Sequence, residues 1–194
     1  MPLQLFTPQD SAILLIDHQV GTMSWIRSDA IDNVKAAAFA LAKAAVALDL
    51  PLILTSSQED HFQGPLQPEF ETIAPKQYQN RIRRTGVVNA WEDPAFAAAV
   101  KDTGRRNLII AGVTNDVCTV YPTLSALDEG YQVQAVADAG GSITKLADDA
   151  ALRRMEKAGA IITSTTMTLT ELARNWASDA GQKLLPILGE LLPH

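Results

Sequence analysis

The sequence predicts an α/β fold, a three-layer sandwich around a mostly parallel, doubly wound sheet, and three observations predict it. Short apolar runs recur at 12–16, 51–55, 107–113, 131–136 and 160–163. They are continuous rather than alternating, which is the pattern of strands buried on both faces. Between them lie segments whose apolar residues recur three and four apart, the period of helices packed along one side. The first strand–helix–strand unit is long enough for a crossover, and such a unit almost always returns right-handed into a parallel sheet.

Taken in order, Ala12-Ile13-Leu14-Leu15-Ile16 reads as a central strand closed by Asp17-His18-Gln19. Ser28 or Asp29 caps a helix from about Ala30 to Leu48, with Ile31, Val34, Ala37, Leu41, Ala44, Ala45 and Leu48 on its apolar face. Leu50-Pro51 breaks it, and 51–55 is the next strand. From Ser56 to about Asn80 the chain is polar and carries Pro65, Pro68 and Pro75. That predicts a long loop with one short helix, of a length that tends to be functional. Asn89-Ala90-Trp91 leads into a helix opened by Asp93-Pro94 and ended by Gly104. After the strand 107–113 comes a helix from about Asp116 to Asp128, stopped by Glu129-Gly130. The strand 131–136 precedes a turn at Asp138-Ala139-Gly140-Gly141. Ser142 or Thr144 then starts a helix to about Ala158, and 160–163 is the last strand. Thr168 is expected to cap a helix running to Ala177. One domain is expected over 1–194, with a core from about 10 to 176. The tail from Gln182 to His194, rich in leucine, is either a packed helix or a subunit contact.

Composition narrows the function. Of the 194 residues 47% are hydrophobic and 20% charged, as in an ordinary globular protein, and the net charge is −6. No basic stripe suits nucleic acid, so none is expected as a partner. The densest cluster, Arg81-Ile82-Arg83-Arg84, reads for Arg81 and Arg83 either as a solvated edge or as part of a site. A single cysteine excludes an intramolecular disulfide, which points to a reducing, cytoplasmic setting. Residues 1–6 carry no charged leader before a long apolar stretch, and 12–16 is too short to cross a bilayer, so no membrane partner is expected.

The chemistry centres on Asn107-Leu108-Ile109-Ile110-Ala111-Gly112-Val113-Thr114-Asn115-Asp116-Val117-Cys118. In open α/β sheets the site forms beyond the carboxyl ends of the strands, where strand order reverses. If the strands ending near Asp17 and Cys118 are neighbours there, carboxylate and thiol share one crevice. Asp17 would accept the thiol proton, a helix start would favour the thiolate, and N–H groups near Thr114 and Cys118 would receive an oxyanion. Each residue also has a plain alternative. A lone cysteine is commonly a packing residue, and Asp17 reads equally as a helix cap or a phosphoacceptor. Gln19, standing where an Asp-x-Asp pair has its second acid, weakens the phosphoryl reading.

Leu14-Leu15-Ile16-Asp17-His18-Gln19, Asn89-Ala90-Trp91 and Ala111-Gly112-Val113-Thr114-Asn115-Asp116-Val117-Cys118 together resemble the isochorismatase-like cysteine hydrolases, in particular their YcaC-like branch, over about 10–176. The resemblance implies a three-layer α/β fold and an Asp–Lys–Cys triad, with Asp17 as base and Cys118 as nucleophile. At the lysine position this chain has Arg84, five residues before Asn89. Arginine keeps the positive charge but does not readily give up a proton, so Arg84 is expected to act electrostatically and by positioning. The resemblance also implies a cis peptide between Val113 and Thr114 that turns the Thr114 N–H towards the substrate. Thr114 and Cys118 are the expected oxyanion hole, and Gln19, Asn89, Trp91 and Asn115 the expected substrate contacts, with core packing the other reading of Trp91. Zinc-binding relatives use Asp-x-His and a second His. Here Asp60 and His61 are adjacent, His18 stands beside the base and His194 at the terminus, so no metal and no cofactor are expected. The reading is a metal-independent hydrolase of a small amide or another carbonyl C–N bond, acting on a small-molecule substrate through an acyl-thioester at Cys118. Relatives assemble as dimers, tetramers or stacked rings, so a homo-oligomer is expected. The alternative is a non-catalytic or redox-sensing oligomeric scaffold of the same fold.

Overall fold

A computed structural model of the chain describes residues 5–192. His194 and residues 1–4, considered above for metal binding and for a leader, lie outside them.

Six strands, β1 (Ser11–Ile16), β2 (Leu52–Ser57), β3 (Ile82–Arg84), β4 (Asn107–Gly112), β5 (Gln132–Val136) and β6 (Ile161–Thr163), form one parallel sheet in the order β3-β2-β1-β4-β5-β6. The side chains of β1 and β4 alternate between two cores, which is why both strands read as unbroken apolar runs. Ile13, Leu15, Ile109 and Ala111 face α2 (Ile31–Ala47), α8 (Thr165–Ala173) and α9 (Asp179–Gly189), meeting Leu41, Leu169 and Leu184. Leu14, Ile16, Leu108 and Ile110 face α5 (Pro94–Asp102), α6 (Val120–Asp128) and α7 (Lys145–Ala158), meeting Phe96, Val120 and Met155. Each of these side chains is fully buried or nearly so, which for all but Ala111 is worth about 1.5–3 kcal/mol apiece against exposure.

Several expectations change on inspection. A short helix α1 (Val20–Met23) follows β1, and the 56–80 segment holds two helices, α3 (Glu69–Ile73) and α4 (Pro75–Gln79), before β3. Three residues, two of them arginine, are too few and too polar to announce β3 as a strand. Within the basic cluster Arg81 is enclosed and bonds Glu59 through Nε at 2.6 Å, whereas Arg83 is largely exposed. The solvated-edge reading therefore fits Arg83 and not Arg81. The helix after β6 starts earlier than Thr168. Ser164 is its cap, accepting from the Met167 N–H at 3.3 Å, and Arg174, at φ 58°, ends it before Ala177. After β4 the chain makes a wide π turn at Asn115–Thr119 before α6 begins. In the tail, α9 packs Leu184 and Ile187 inward and leaves Leu185 partly exposed, and Leu192, beyond its end, is exposed, so part of the tail is a packed helix. Among the described residues no helix is long and apolar enough to cross a membrane.

Candidate active site

Strand order reverses between β1 and β4, which pair in register from Ser11↔Asn107 to Ile16↔Gly112. Asp17 therefore leaves β1 beside the segment leading to Cys118. Its backbone is left-handed, φ 58°, a conformation that Asp tolerates better than most residues and that costs about 1–2 kcal/mol. The turn is held by the Asp17 N–H donating to Thr55 O at 2.9 Å and by Thr22 Oγ1 donating to Asp17 O at 2.6 Å. Arg84, the last residue of β3, reaches across the end of β2. Its Nε donates to Thr55 Oγ1 at 3.1 Å, Nη1 to Val87 O at 2.7 Å, and Nη2 to both oxygens of Asp17, at 2.5 Å to Oδ2. The same carboxylate hydrogen-bonds the Cys118 thiol. Positions 17, 84 and 118 thus meet through one carboxylate.

Electrostatics set the resting proton. Burial pushes the Asp17 carboxyl above its ordinary range, and the Arg84 guanidinium pulls it back in part. Burial and the Asp17 charge push the half-buried Cys118 thiol well up, and Arg84 offsets this only partly. Both pushes work against the thiolate that a helix start is expected to favour. The π turn, in addition, spends the amides of the helix start. The N–H groups of Val117, Cys118 and Thr119 all donate to Thr114 O, at 3.2, 2.7 and 3.2 Å, instead of facing outward. The Cys118 N–H is thereby committed, contrary to its expected place in an oxyanion hole. The Thr114 N–H points at the Cys118 sulfur and pulls the thiol pKa down slightly, and the Val113–Thr114 peptide is cis.

The four expected substrate contacts are placed otherwise. Gln19 is fully buried and its amide is spent on the backbone: Nε2 donates to Ser57 O at 2.8 Å and to Gly64 O, and Oε1 accepts from the Ser57 N–H at 2.9 Å. Asn89 caps the turn Ala90–Glu92, accepting from the Trp91 N–H at 3.1 Å and donating to Ser125 Oγ. Trp91 is a core residue edge-on to Phe96 and Tyr131, its Nε1 donating to Glu129 Oε1 at 2.7 Å. Glu129 caps the end of α6 away from Cys118. Asn115 is buried, donating to Ala137 O and Asp148 Oδ1 and accepting from Thr119 Oγ1, which fastens the π turn to α7. A Cβ on Gly140 would stand 2.1 Å from Asn115 Oδ1, so this contact needs glycine there.

One residue of the site went unforeseen. Thr55, buried in β2, orients Arg84 and donates to Ile82 O at 2.7 Å; a threonine near the end of a buried strand was its only signal. His18 is fully buried, its Nε2 2.8 Å from Ala139 O and its ring edge-on to Phe70. Burial lowers its pKa to about 4, and the Nδ1 has no partner among the described residues. With His18 turned to Ala139 and His61 exposed in its loop, no group of three or more His, Cys, Asp or Glu side chains among the described residues is placed to hold a metal.

The isochorismatase domain family model matches residues 11–167. The Probable hydrolase YcaC of Escherichia coli K12 is 41% identical over 170 residues, covering 88% of this chain and 81% of that protein. YcaC from Pseudomonas aeruginosa, solved with hexane-2,5-diol and covalent acrylamide, superposes with a TM-score of 0.94 at 42% identity, covering 100% of this chain and 94% of the other. The E. coli YcaC structure, described as an octameric hydrolase of unknown specificity, gives a TM-score of 0.94 at 38% identity over 100% and 93%.

Proposed function

The chain belongs to the isochorismatase family of hydrolases, and from that premise we propose that it cleaves a small amide, or another carbonyl C–N bond, with Cys118 as nucleophile. The observation that carries this reading is the Asp17 carboxylate hydrogen-bonded to both the Cys118 thiol and the Arg84 guanidinium. Asp17 takes the thiol proton as the sulfur attacks the carbonyl carbon. The Thr114 N–H receives the developing oxyanion. Asp17 returns the proton to the departing amine, leaving an acyl-thioester. Water, deprotonated by Asp17, then releases the acid. Arg84 stays charged throughout, holding the carboxylate in place and limiting how far burial raises its pKa. Every step uses side chains and backbone of this chain, and no step needs a metal ion.

The P. aeruginosa relative was solved with covalent acrylamide, and a protein of this fold carrying a reactive nucleophile is in keeping with the Cys118 reading. The octameric E. coli relative supports a homo-oligomer here. A redox-sensing role is less well served, because a thiol whose pKa is pushed up reacts slowly with oxidants. The test is Cys118→Ala and Asp17→Asn against a panel of small amides. The first should abolish turnover, and the second should lower kcat by about a thousandfold or more. Trapping of an acyl adduct on Cys118 by mass spectrometry is the expected positive sign. Unchanged turnover in Cys118→Ala removes the proposal.

A further inference from the structure

The end of the sheet away from Cys118 holds buried donors that the fold leaves unpaired. At the amino-terminal mouth of β4 lies a cavity of about 390 Å³ whose lining includes Asp10, Arg105, Arg106 and Asn107. Since β4 runs from Asn107 to Gly112, about 17 Å of strand separates this cavity from the segment that carries Cys118. Asn107 is only 1% exposed. Its backbone N–H donates to Asp10 O at 3.2 Å, but its side-chain Nδ2 is buried with no partner among the described residues. Arg105 Nε is buried in the same condition. Ser11, the register partner of Asn107 on β1, adds a third such atom, its fully buried Oγ. Residues in register on adjacent strands turn their side chains to the same face, so Ser11 stands beside Asn107 there.

Positive charge is also left over. Among the described residues neither Arg105 nor Arg106 forms an ion pair, and nor does Lys101, which borders an adjoining hollow with them. Arg106 spends Nη2 on Gly130 O at 3.2 Å, a neutral acceptor that leaves its charge uncompensated. The acids nearby are turned elsewhere. Asp10 Oδ2 accepts from Thr7 Oγ1 at 3.0 Å, and Glu129, the acid of the adjoining hollow, accepts from Trp91 Nε1. Asp102 shares a further cavity with Arg105 and forms no ion pair with it. A buried donor without an acceptor is costly, the more so on a charged group. Water satisfies the amide and leaves the charge, whereas an oxyanion satisfies both through charge-assisted hydrogen bonds. The donors come from three separate side chains, so an anion with three or more acceptor oxygens suits them better than a planar carboxylate with two.

We propose that this cavity is a binding site for a phosphoryl group, carried by inorganic phosphate or by a small phosphomonoester, with Arg105, Arg106 and the Asn107 carboxamide as its ligands. The site uses none of the residues around Cys118 and stands independently of the hydrolase reading.

The test is isothermal titration of the full chain with inorganic phosphate, glycerol 3-phosphate and acetate, near neutral pH and at low, matched ionic strength. Phosphate should bind saturably with a Kd of about 1 mM or tighter, and acetate at least about tenfold more weakly. Tighter binding of glycerol 3-phosphate than of phosphate identifies the phosphomonoester as the ligand, and the reverse order identifies the free ion. Arg105→Gln should weaken phosphate about tenfold or more, and Asn107→Ala several-fold. Arg106→Gln changes an exposed side chain and should weaken phosphate about threefold; it decides the matter if the two buried variants do not fold. Absence of saturable phosphate binding, acetate binding as tightly as phosphate, or an unchanged phosphate affinity in Arg106→Gln or in folded Arg105→Gln overturns the proposal.

Discussion

Arg84 is held at three ends, by Asp17, Thr55 Oγ1 and Val87 O, and its replacement separates charge from geometry. Arg84→Lys keeps the charge but cannot satisfy all three partners, and should cost about 1–3 kcal/mol in urea unfolding. Arg84→Met leaves Asp17 buried and unpaired. It should cost about 3–5 kcal/mol and move the limb of the pH–rate profile governed by Asp17 to higher pH. His18 gives a second prediction. Its native pKa is lowered from 6.5 to about 4, so the unfolded chain takes a proton where the native ring does not. The stability it contributes is fully present above about pH 6.5 and is lost as pH falls towards 4, by about 3 kcal/mol in all. Asp17 works with the opposite sign, since its raised pKa favours the native state at low pH and withdraws that support as pH rises. His18→Gln, which keeps a donor for Ala139 O, should flatten the fall in unfolding free energy between pH 7 and pH 5 by about 2 kcal/mol. No flattening would show that the ring is not buried neutral.

At the level of elements, the connection after β2 is pinned to the one after β1. Gln19 clamps Ser57 and Gly64, and Gly21 lets Phe62 O approach to where a Cβ would stand only 2.0 Å away. Gln19→Ala should strip the Ser57 amide of its acceptor and leave buried carbonyls unpaired, at about 1–3 kcal/mol for each group orphaned. Hydrogen exchange is the direct readout, with the Ser57 amide exchanging faster while amides of β4 stay protected. A residue expected to touch substrate would then be seen to act by holding a wall of the crevice. The same distinction holds for Asn115, whose contacts to Ala137, Asp148 and Thr119 fasten the turn that carries Cys118.

For the whole molecule, two measurements follow from the proposed function. Dialysis against a chelator should leave amide turnover unchanged, because no step runs through a metal. Light scattering should return a mass several times that of one chain, in line with the octameric relative; a monomer at working concentration would refute the assembly.

The sequence by itself determined the α/β architecture, the parallel sheet and the pairing of Asp17 with Cys118. Those follow from apolar runs and from the rule that sites gather beyond strand ends where strand order reverses. Resemblance also singled out Arg84, which the structure places against the Asp17 carboxylate. Only the tertiary structure decided what each polar group near the site does with its hydrogen bonds. Gln19, Asn89 and Asn115 look alike in a sequence whether they face a ligand or a backbone carbonyl, and Trp91 reads the same in a core or a pocket wall. The π turn lay equally beyond reach: apolar spacing reports which face of a helix is buried, and says nothing of three N–H groups converging on Thr114 O or of a thiol whose pKa burial and the Asp17 charge push up. Periodicity is a property of local chain geometry, whereas hydrogen-bond partners and pKa shifts arise from residues far apart in sequence brought together by the fold.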